Sequence, residues 1–280
     1  MRTSFAIPFA AVLAIGTASV APAQFSKPSQ QQQVQLGLKA AREVRQKERV
    51  LPGSDPRVQT VRRVGRRLLS TISDGKEPWE YSFDVIDKKD VNAFALPGGP
   101  TFIYTGLLDR IKSEDELAGV MAHELTHVRK EHWAYQYRDQ QTRNLGLSVL
   151  LILTKANQST ANLLNIGSQV LIDLPYSRKH ETEADDIGFA MMEQARYNPQ
   201  GMVDLFTTLQ KASGGGKMPE FLSSHPADTS RIARMQGKIQ SASHTFPALT
   251  PLVYDQYERW GVNEYQRRRY DTGGRYGGGG

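Results

Sequence analysis

Apolar positions along the chain change their spacing several times, and each change marks an element. Phe5 to Val20 form one apolar run. Residues 24–33 are polar and glutamine-rich and read as a loose lead-in. Val34, Leu38, Ala41 and Val44 then recur at helical spacing, predicting a helix to about Val50. Ser54 or Asp55 followed by Pro56 is a helix start, and Val58, Val61, Gly65, Leu68 and Ile72 line one face to about Ser73. Tyr81, Phe83 and Val85 alternate with polar residues, as a strand does. The segment VNAFALPGGPTFIYTGLL (91–108) reads as strand, tight turn at Pro97–Pro100, strand and short helix. Ser113 and Glu116 make a capping box. The helix it opens is expected to run past Tyr135, with Leu117, Val120, Met121, Leu125 and Val128 on its buried side.

Two apolar runs, 145–153 and 163–174, flank a polar stretch and predict a helical hairpin or ordered lid; neither is long enough to span a bilayer. Ile187, Met191 and Met192 lie on one side of a helix expected from Arg178 to Arg196, ended by Asn198-Pro199. A helix follows to about Ala212, then SGGGK as a flexible loop. A His-Pro turn and a cap at Asp228 or Thr229 precede a last helix to about Gln240. The glycine- and arginine-rich end is low-complexity. No internal repeat is evident. The order of elements predicts a predominantly helical α+β fold with a small sheet.

The 280 residues suffice for one substantial domain. The net charge of +6 is spread over interspersed charges of both signs. The short arginine clusters at 62–67 and 267–269 read as solvated faces, and no nucleic-acid partner is expected. Cysteine is absent, which excludes disulfides, thiolate metal sites and cysteine nucleophiles, and leaves His, Asp and Glu as metal ligands. Arg2, the apolar run and Ala21-Pro22-Ala23 have the layout of an export signal over residues 1–23. The mature chain is expected to begin near Gln24, outside the cytoplasm.

Residues 123–127 read HELTH. On a helix His123 and His127 lie one turn apart on the same face, so both rings can reach one tetrahedral ion. Glu124, rotated by about 100°, is poorly placed as a third ligand but can reach a water on that ion. Such an ion lowers the pKa of the water, and a glutamate there takes its proton and passes it to the leaving amine. On a continuous helix His132 faces nearly away from His123, so it reads as packing or surface. The long metzincin pattern needs His and Gly where Trp133 and Lys130 stand, which rejects that class. HETEAD (180–185) supplies Glu181 and Asp185 on one face of a second helix. Glu181 is the candidate third ligand, and Asp185 the acceptor that fixes a ligand imidazole's tautomer; a charged helix face is the alternative. Glu183 reads as solvated and His180 as a helix-start residue.

Together HELTH, SRKHETEADDIG and NAFALPGGPTFIYTGLL resemble the gluzincin zinc metalloendopeptidases of metallopeptidase family forty-eight. That family includes the HtpX heat-shock protease, the CAAX prenyl endopeptidase, the mitochondrial Oma protease and the periplasmic BepA and LoiP proteases. The resemblance covers roughly residues 35–240. It implies a zincin-like metallopeptidase domain over 24–250, with the sheet beside the HExxH helix and 251–280 as a C-terminal extension. It further implies one Zn²⁺ per chain on His123, His127 and Glu181, Glu124 as the catalytic residue, and protein quality control in the cell envelope. Expected substrates are unfolded or misfolded envelope proteins, in the periplasm, with peripheral membrane contact through the apolar hairpin. The chain departs from the multi-spanning and helical-repeat members, so it resembles the compact exported ones.

Three further readings stay open at this level. The strand carrying Asn92, Ala93 and Phe94 either presents an open edge to an extended substrate or is purely structural. His225 either takes the fourth ligand position, contacts the oxyanion, or caps a turn. Tyr176 and Arg178 are oxyanion candidates. The competing function is a chaperone-like binding module with a structural zinc.

Overall fold

The computed structural model describes residues 26–72, 77–148, 176–213, 219–225 and 229–254, with backbone alone at 142–148 and 213. The expected export signal, the 149–174 part of the expected apolar hairpin, most of SGGGK, the candidate cap Asp228 and residues from 255 on lie outside the described residues.

Helix α1 spans Gln30–Lys47. It starts ahead of the expected Val34 because Ser29 and Gln32 form a reciprocal capping box; the glutamines are helix, not lead-in. Leu36, Ala40, Ala41 and Val44 face inward. Helix α2, Pro56–Leu69, begins as the sequence predicts, with Asp55 accepting from the Arg57 N–H and proline in the first turn. It closes at Leu69, short of the expected Ser73.

Strands β1 (Ser82–Ile86), β2 (Ala93–Ala95) and β3 (Pro100–Tyr104) form one sheet in the order β1-β3-β2. β1 runs parallel to β3, with Val85 opposite Ile103; β2 runs antiparallel to it, with Phe94 opposite Phe102. The β2–β3 turn needs glycine, since Gly98 and Gly99 have φ of 84° and 124°. Side chains alternate across the sheet. Phe83, Val85, Ala93 and Ile103 enter the core shared with α2 and the central helices, while Phe94, Phe102 and Tyr104 pack under α1 with Trp133.

A short helix α3 (Thr105–Leu108) leads to α4, Glu114–Arg129, opened by the predicted capping box. Every residue of α4 from Glu114 to Val128 is buried, because two later helices, α2 and β2 surround it. The expected single helix past Tyr135 is instead two. The chain turns at Lys130–Glu131, where Glu131 has φ of 54°, and α5 starts afresh at His132 and runs to Ser148. The left-handed residue is held from outside: its carboxylate accepts from Gln30, Gln33 and Lys27 at the start of α1.

Helix α6 spans Arg178–Gln194 and α7 Gln200–Ser213, the two that enclose α4. After them come an unexpected short helix, α8, Glu220–Ser224, and then α9, Thr229–Ser241. α6, α7 and α9 lie close to expectation. Asp115 ties distant parts together, accepting from the Asn198 N–H and the Thr250 N–H at 2.7 Å each. Pro251 bridges to Ser113, and Leu252 N–H donates to the Lys112 carbonyl. The expected boundary at 250 thus falls inside a paired segment.

A Cβ on Gly99 would sit 2.9 Å from the Glu80 backbone, at a φ that L-residues rarely adopt. Gly99→Ala is expected to lower unfolding stability by about 1–3 kcal/mol. Gly237→Ala in α9, where nothing lies within 4 Å, is expected to be neutral or to stabilise by up to ~1 kcal/mol. Denaturant titration of the two variants checks the contrast.

Candidate metal centre

Buried α4 carries His123, Glu124 and His127 into the interior, with each side chain at most 2 % exposed. Helix α6 crosses close enough that a Cβ on its Gly188 would lie 3.2 Å from the His123 backbone nitrogen. That approach brings Glu181 and Asp185, also buried, to the histidines. The Nε2 atoms of His123 and His127 are 3.0 Å apart. Glu181 Oε2 lies 3.5 Å from His123 Nε2, and its Oε1 3.5 Å from His127 Nε2.

His225 joins from the end of α8. Its Nδ1 lies 3.2 Å from His123 Nε2 and 3.0 Å from Glu181 Oε1. Donor atoms of His123, His127, Glu181 and His225 all fall within 4.8 Å of one another. Two ligands of a tetrahedral zinc with bonds of about 2.0–2.1 Å stand about 3.3 Å apart, so the spacing fits one ion. Both ring nitrogens of His225 face the cluster, Nε2 lying 3.3 Å from Glu124 Oε1; its N–H closes α8 onto the Phe221 carbonyl, and its ring stacks on Phe221 at 4.5 Å.

Hydrogen bonding favours a cation as well. His123 Nδ1 lies 3.1 Å from Asp185 Oδ1, an acceptor-only carboxylate, so the neutral ring keeps its proton on Nδ1 and turns the lone pair of Nε2 to the cluster. This is the role expected of Asp185. Glu181 Oε2 has no hydrogen bond, although Arg231 Nη1 lies 2.7 Å away; the pair is in charge contact without the alignment of a hydrogen bond. Glu124 Oε1 is also buried without a hydrogen-bond partner, 3.3 Å from His225 Nε2, while Oε2 accepts from the Ala95 N–H at 3.0 Å. Buried carboxylate oxygens with such open valence suit an ion and its ligands.

The electrostatics pull in several directions. Burial opposes the imidazolium of His123, yet the Glu181 charge and the Asp185 bond outweigh it and raise its pKa to about 9. Burial, reinforced by His123, drives His127 well below its ordinary value. Burial works against the Glu181 anion, but the neighbouring His225 and His123 hold it well below the usual carboxylate range. Burial pushes the Glu124 carboxyl up, against the pull of His225 and His123. Tyr176 stacks on His127 at 3.9 Å, and burial raises its phenol well above the ordinary value.

The main chain of β2 alternates in direction. Tyr104 N–H donates to the Asn92 carbonyl and Leu96 N–H to that of Pro100. By antiparallel alternation, Asn92, Phe94 and Leu96 direct their main chains to β3, and Val91, Ala93 and Ala95 direct theirs away. Of the three residues expected at the edge, Ala93 alone presents main-chain groups outward. The edge is not open: Phe221 N–H at the start of α8 donates to the Val91 carbonyl at 3.3 Å, and Ala93 is fully buried.

Two residues at this centre escaped the sequence reading. His132, read as packing or surface and facing away from His123, is 2 % exposed, with Nδ1 3.0 Å from His127 Nδ1. The break at Glu131 turns it back toward the site. Its Nε2 lies 3.4 Å from Glu183 Oε2, so Glu183 is engaged rather than simply solvated. His180 begins α6 as expected, but its ring also stacks on His132 at 4.4 Å. Arg231 of α9 grips Asp185 with two hydrogen bonds, at 2.8 and 2.7 Å, and Arg234 adds a third. Its signal was available: Arg231 stands four residues before buried Met235 on the inner face of α9.

The family model described as Peptidase family M48 matches residues 56–239. The chain belongs to peptidase family M48. Family M48 relatives include the mitochondrial metalloendopeptidase OMA1 of Schizosaccharomyces pombe, 37 % identical over 193 residues, which are 68 % of this chain and 55 % of that protein. The putative beta-barrel assembly-enhancing protease of Vibrio cholerae is 34 % identical over 178 residues, 60 % of this chain and 36 % of the relative. The beta-barrel assembly-enhancing protease of Escherichia coli K12 is 32 % identical over 201 residues, 66 % and 40 %. The chain therefore spans between about a third and just over half the length of these relatives. The match includes both motif helices and the sheet, as the resemblance implied.

Arg231→Ala would strand two buried carboxylates of α6. It is expected to cost about 3–5 kcal/mol of unfolding free energy, measured by denaturant titration. Arg231→Lys, which cannot fork across Asp185, is expected to fall between the alanine variant and the native protein.

Proposed function

We propose that the chain is a zinc-dependent metalloendopeptidase that holds one zinc ion on His123, His127 and Glu181, with Glu124 as general base and Asp185 orienting His123. The observation that carries this reading is the convergence of imidazole nitrogens and a carboxylate at tetrahedral spacing, beside a second carboxylate with one free oxygen. Zinc in that place supplies a Lewis acid that acidifies water and polarises the scissile carbonyl. Glu124 is held by the Ala95 N–H through one oxygen, which leaves the other to take a proton and deliver it to the leaving nitrogen. Its raised pKa suits a group that must both accept and release that proton. A structural zinc in a binding module has no use for such a glutamate.

His225 supports a latent form of this enzyme. As a fourth donor it closes the position that a catalytic site keeps open, and its Nε2 faces Glu124. Helix α8, which His225 follows, also occupies the outward carbonyl of Val91 at the approach to β2. An extended polypeptide would pair with the main chain of Val91, Ala93 and Ala95 only after α8 moves. The chaperone-like alternative, with four protein ligands and no turnover, shares this closed geometry and is separated from latency by the variants below.

The substrates proposed are unfolded or misfolded cell-envelope proteins, and the location the periplasm. The export-signal pattern of residues 1–23 supports this, as do relatives named for beta-barrel assembly; others are named mitochondrial. No helix among the described residues is long and apolar enough to cross a membrane. Membrane-surface contact through the 145–174 segment belongs to the same proposal.

The purified protein is expected to contain about one zinc per chain and to cleave unfolded casein. A chelator should abolish cleavage and added zinc restore it. Glu124→Gln is expected to keep the zinc and lose about 10²–10⁴-fold in rate; equal casein cleavage by native protein and variant would sink the enzymatic reading. His225→Ala is expected to raise casein cleavage several-fold. If it keeps zinc and is less active, His225 assists catalysis instead of blocking it.

A further inference from the structure

The tautomer of His123 is fixed by Asp185, but among the described residues no carboxylate touches the second nitrogen of His127. Its Nδ1 meets another imidazole nitrogen, His132 Nδ1, at 3.0 Å. This contact lies outside the donor cluster, so no cation can sit between the two nitrogens; one of them must donate and the other accept, because two bare lone pairs or two N–H groups cannot face each other at that distance. The far end of His132 decides which. Its Nε2 lies 3.4 Å from Glu183 Oε2, and Glu183 also pairs with Lys130. Its carboxylate is held between the Lys130 ammonium and the His132 ring, at 3.4 Å from each, so it acts as an acceptor only.

The Glu183 anion places the single proton of neutral His132 on Nε2, which leaves Nδ1 as an acceptor. His127 must then donate from Nδ1, and its Nε2 lone pair points to His123 Nε2 and Glu181. In the opposite arrangement His132 Nε2 would face a carboxylate lone pair to lone pair, and His127 Nε2 would carry a proton into the donor cluster.

We infer that His132 and Glu183 are positioning residues: a Glu183–His132–His127 chain fixes His127 in its metal-binding tautomer and aims its ring. This rests on the zinc reading above. The chain forms because α4 breaks at Glu131, whose left-handed backbone is held by Lys27, Gln30 and Gln33. His180, stacked on the His132 ring with planes 14° apart, keeps that ring from turning.

Long-range proton–nitrogen NMR of the zinc-loaded native protein is expected to show His127 protonated at Nδ1 and His132 at Nε2. A His132 proton on Nδ1 overturns the inference. Competition against a chromophoric chelator gives a second test, with zinc alone as the probe. His132→Phe fills the space but cannot accept, and is expected to weaken zinc binding by about 10–100-fold. His132→Gln, which offers an amide oxygen, is expected to recover part of that loss. Glu183→Ala is expected to weaken binding less than His132→Phe. A folded His132→Phe protein with zinc affinity within about twofold of native refutes the chain, since a ligand histidine that loses its outer partner costs at least about tenfold in metal affinity. If the native protein itself binds no zinc, or His127→Ala leaves affinity unchanged, the zinc reading fails first; the two failures are therefore distinct.

Discussion

A histidine can be buried on a helix only if both ring nitrogens have something to meet. α4 is enclosed along nearly its whole length, and it brings two imidazoles inside with their Nε2 atoms 3.0 Å apart. Everything around them serves those four nitrogens. Asp185 takes one Nδ1 and His132 the other, while Glu181 and His225 converge on the Nε2 pair. Removing any one partner would leave a polar atom stranded in a place water cannot reach, at a cost of about 1–3 kcal/mol. The position of α6, the placement of α9 and the break between α4 and α5 are all consequences of that requirement.

Charge is arranged in layers around the same centre. Two carboxylates of α6 enter the interior, which burial alone would forbid, and Arg231 reaches in from α9 to sit against both. Its guanidinium also lies over the Phe206 ring at 4.4 Å, so an aromatic face covers the side of the cation that has no hydrogen bonds to make. α9 thus contributes few apolar side chains to the core but anchors the acidic helix electrostatically.

Much of this was legible from residue order. The HELTH spacing, the Glu181–Asp185 pair and the Pro-Gly turn each encode local geometry, and local geometry survives folding. The Ser113 capping box likewise marked the start of α4. What stayed hidden depended on contacts distant in sequence. The helix break at Glu131 has no glycine or proline to announce it; it is held by side chains about a hundred residues earlier. Because that break was invisible, His132 was assigned to the wrong face. The glutamines before Val34 read as a loose lead-in, yet Gln32 completes a cap. The contact of α8 with the Val91 carbonyl could not be read either, since α8 is a single short turn with no periodic signal of its own.

Asp115 defines how far the folded unit extends. Its two oxygens accept main-chain N–H groups from Asn198 and Thr250, residues 83 and 135 positions away. One carboxylate therefore clasps the N-terminal end of the HELTH helix to the approach of α7 and to the segment that follows α9. A fragment trimmed back to the last helix would open that clasp and leave a buried anion with half its partners. The folded body is for that reason longer than its recognisable motifs, and it takes in the residues just beyond α9.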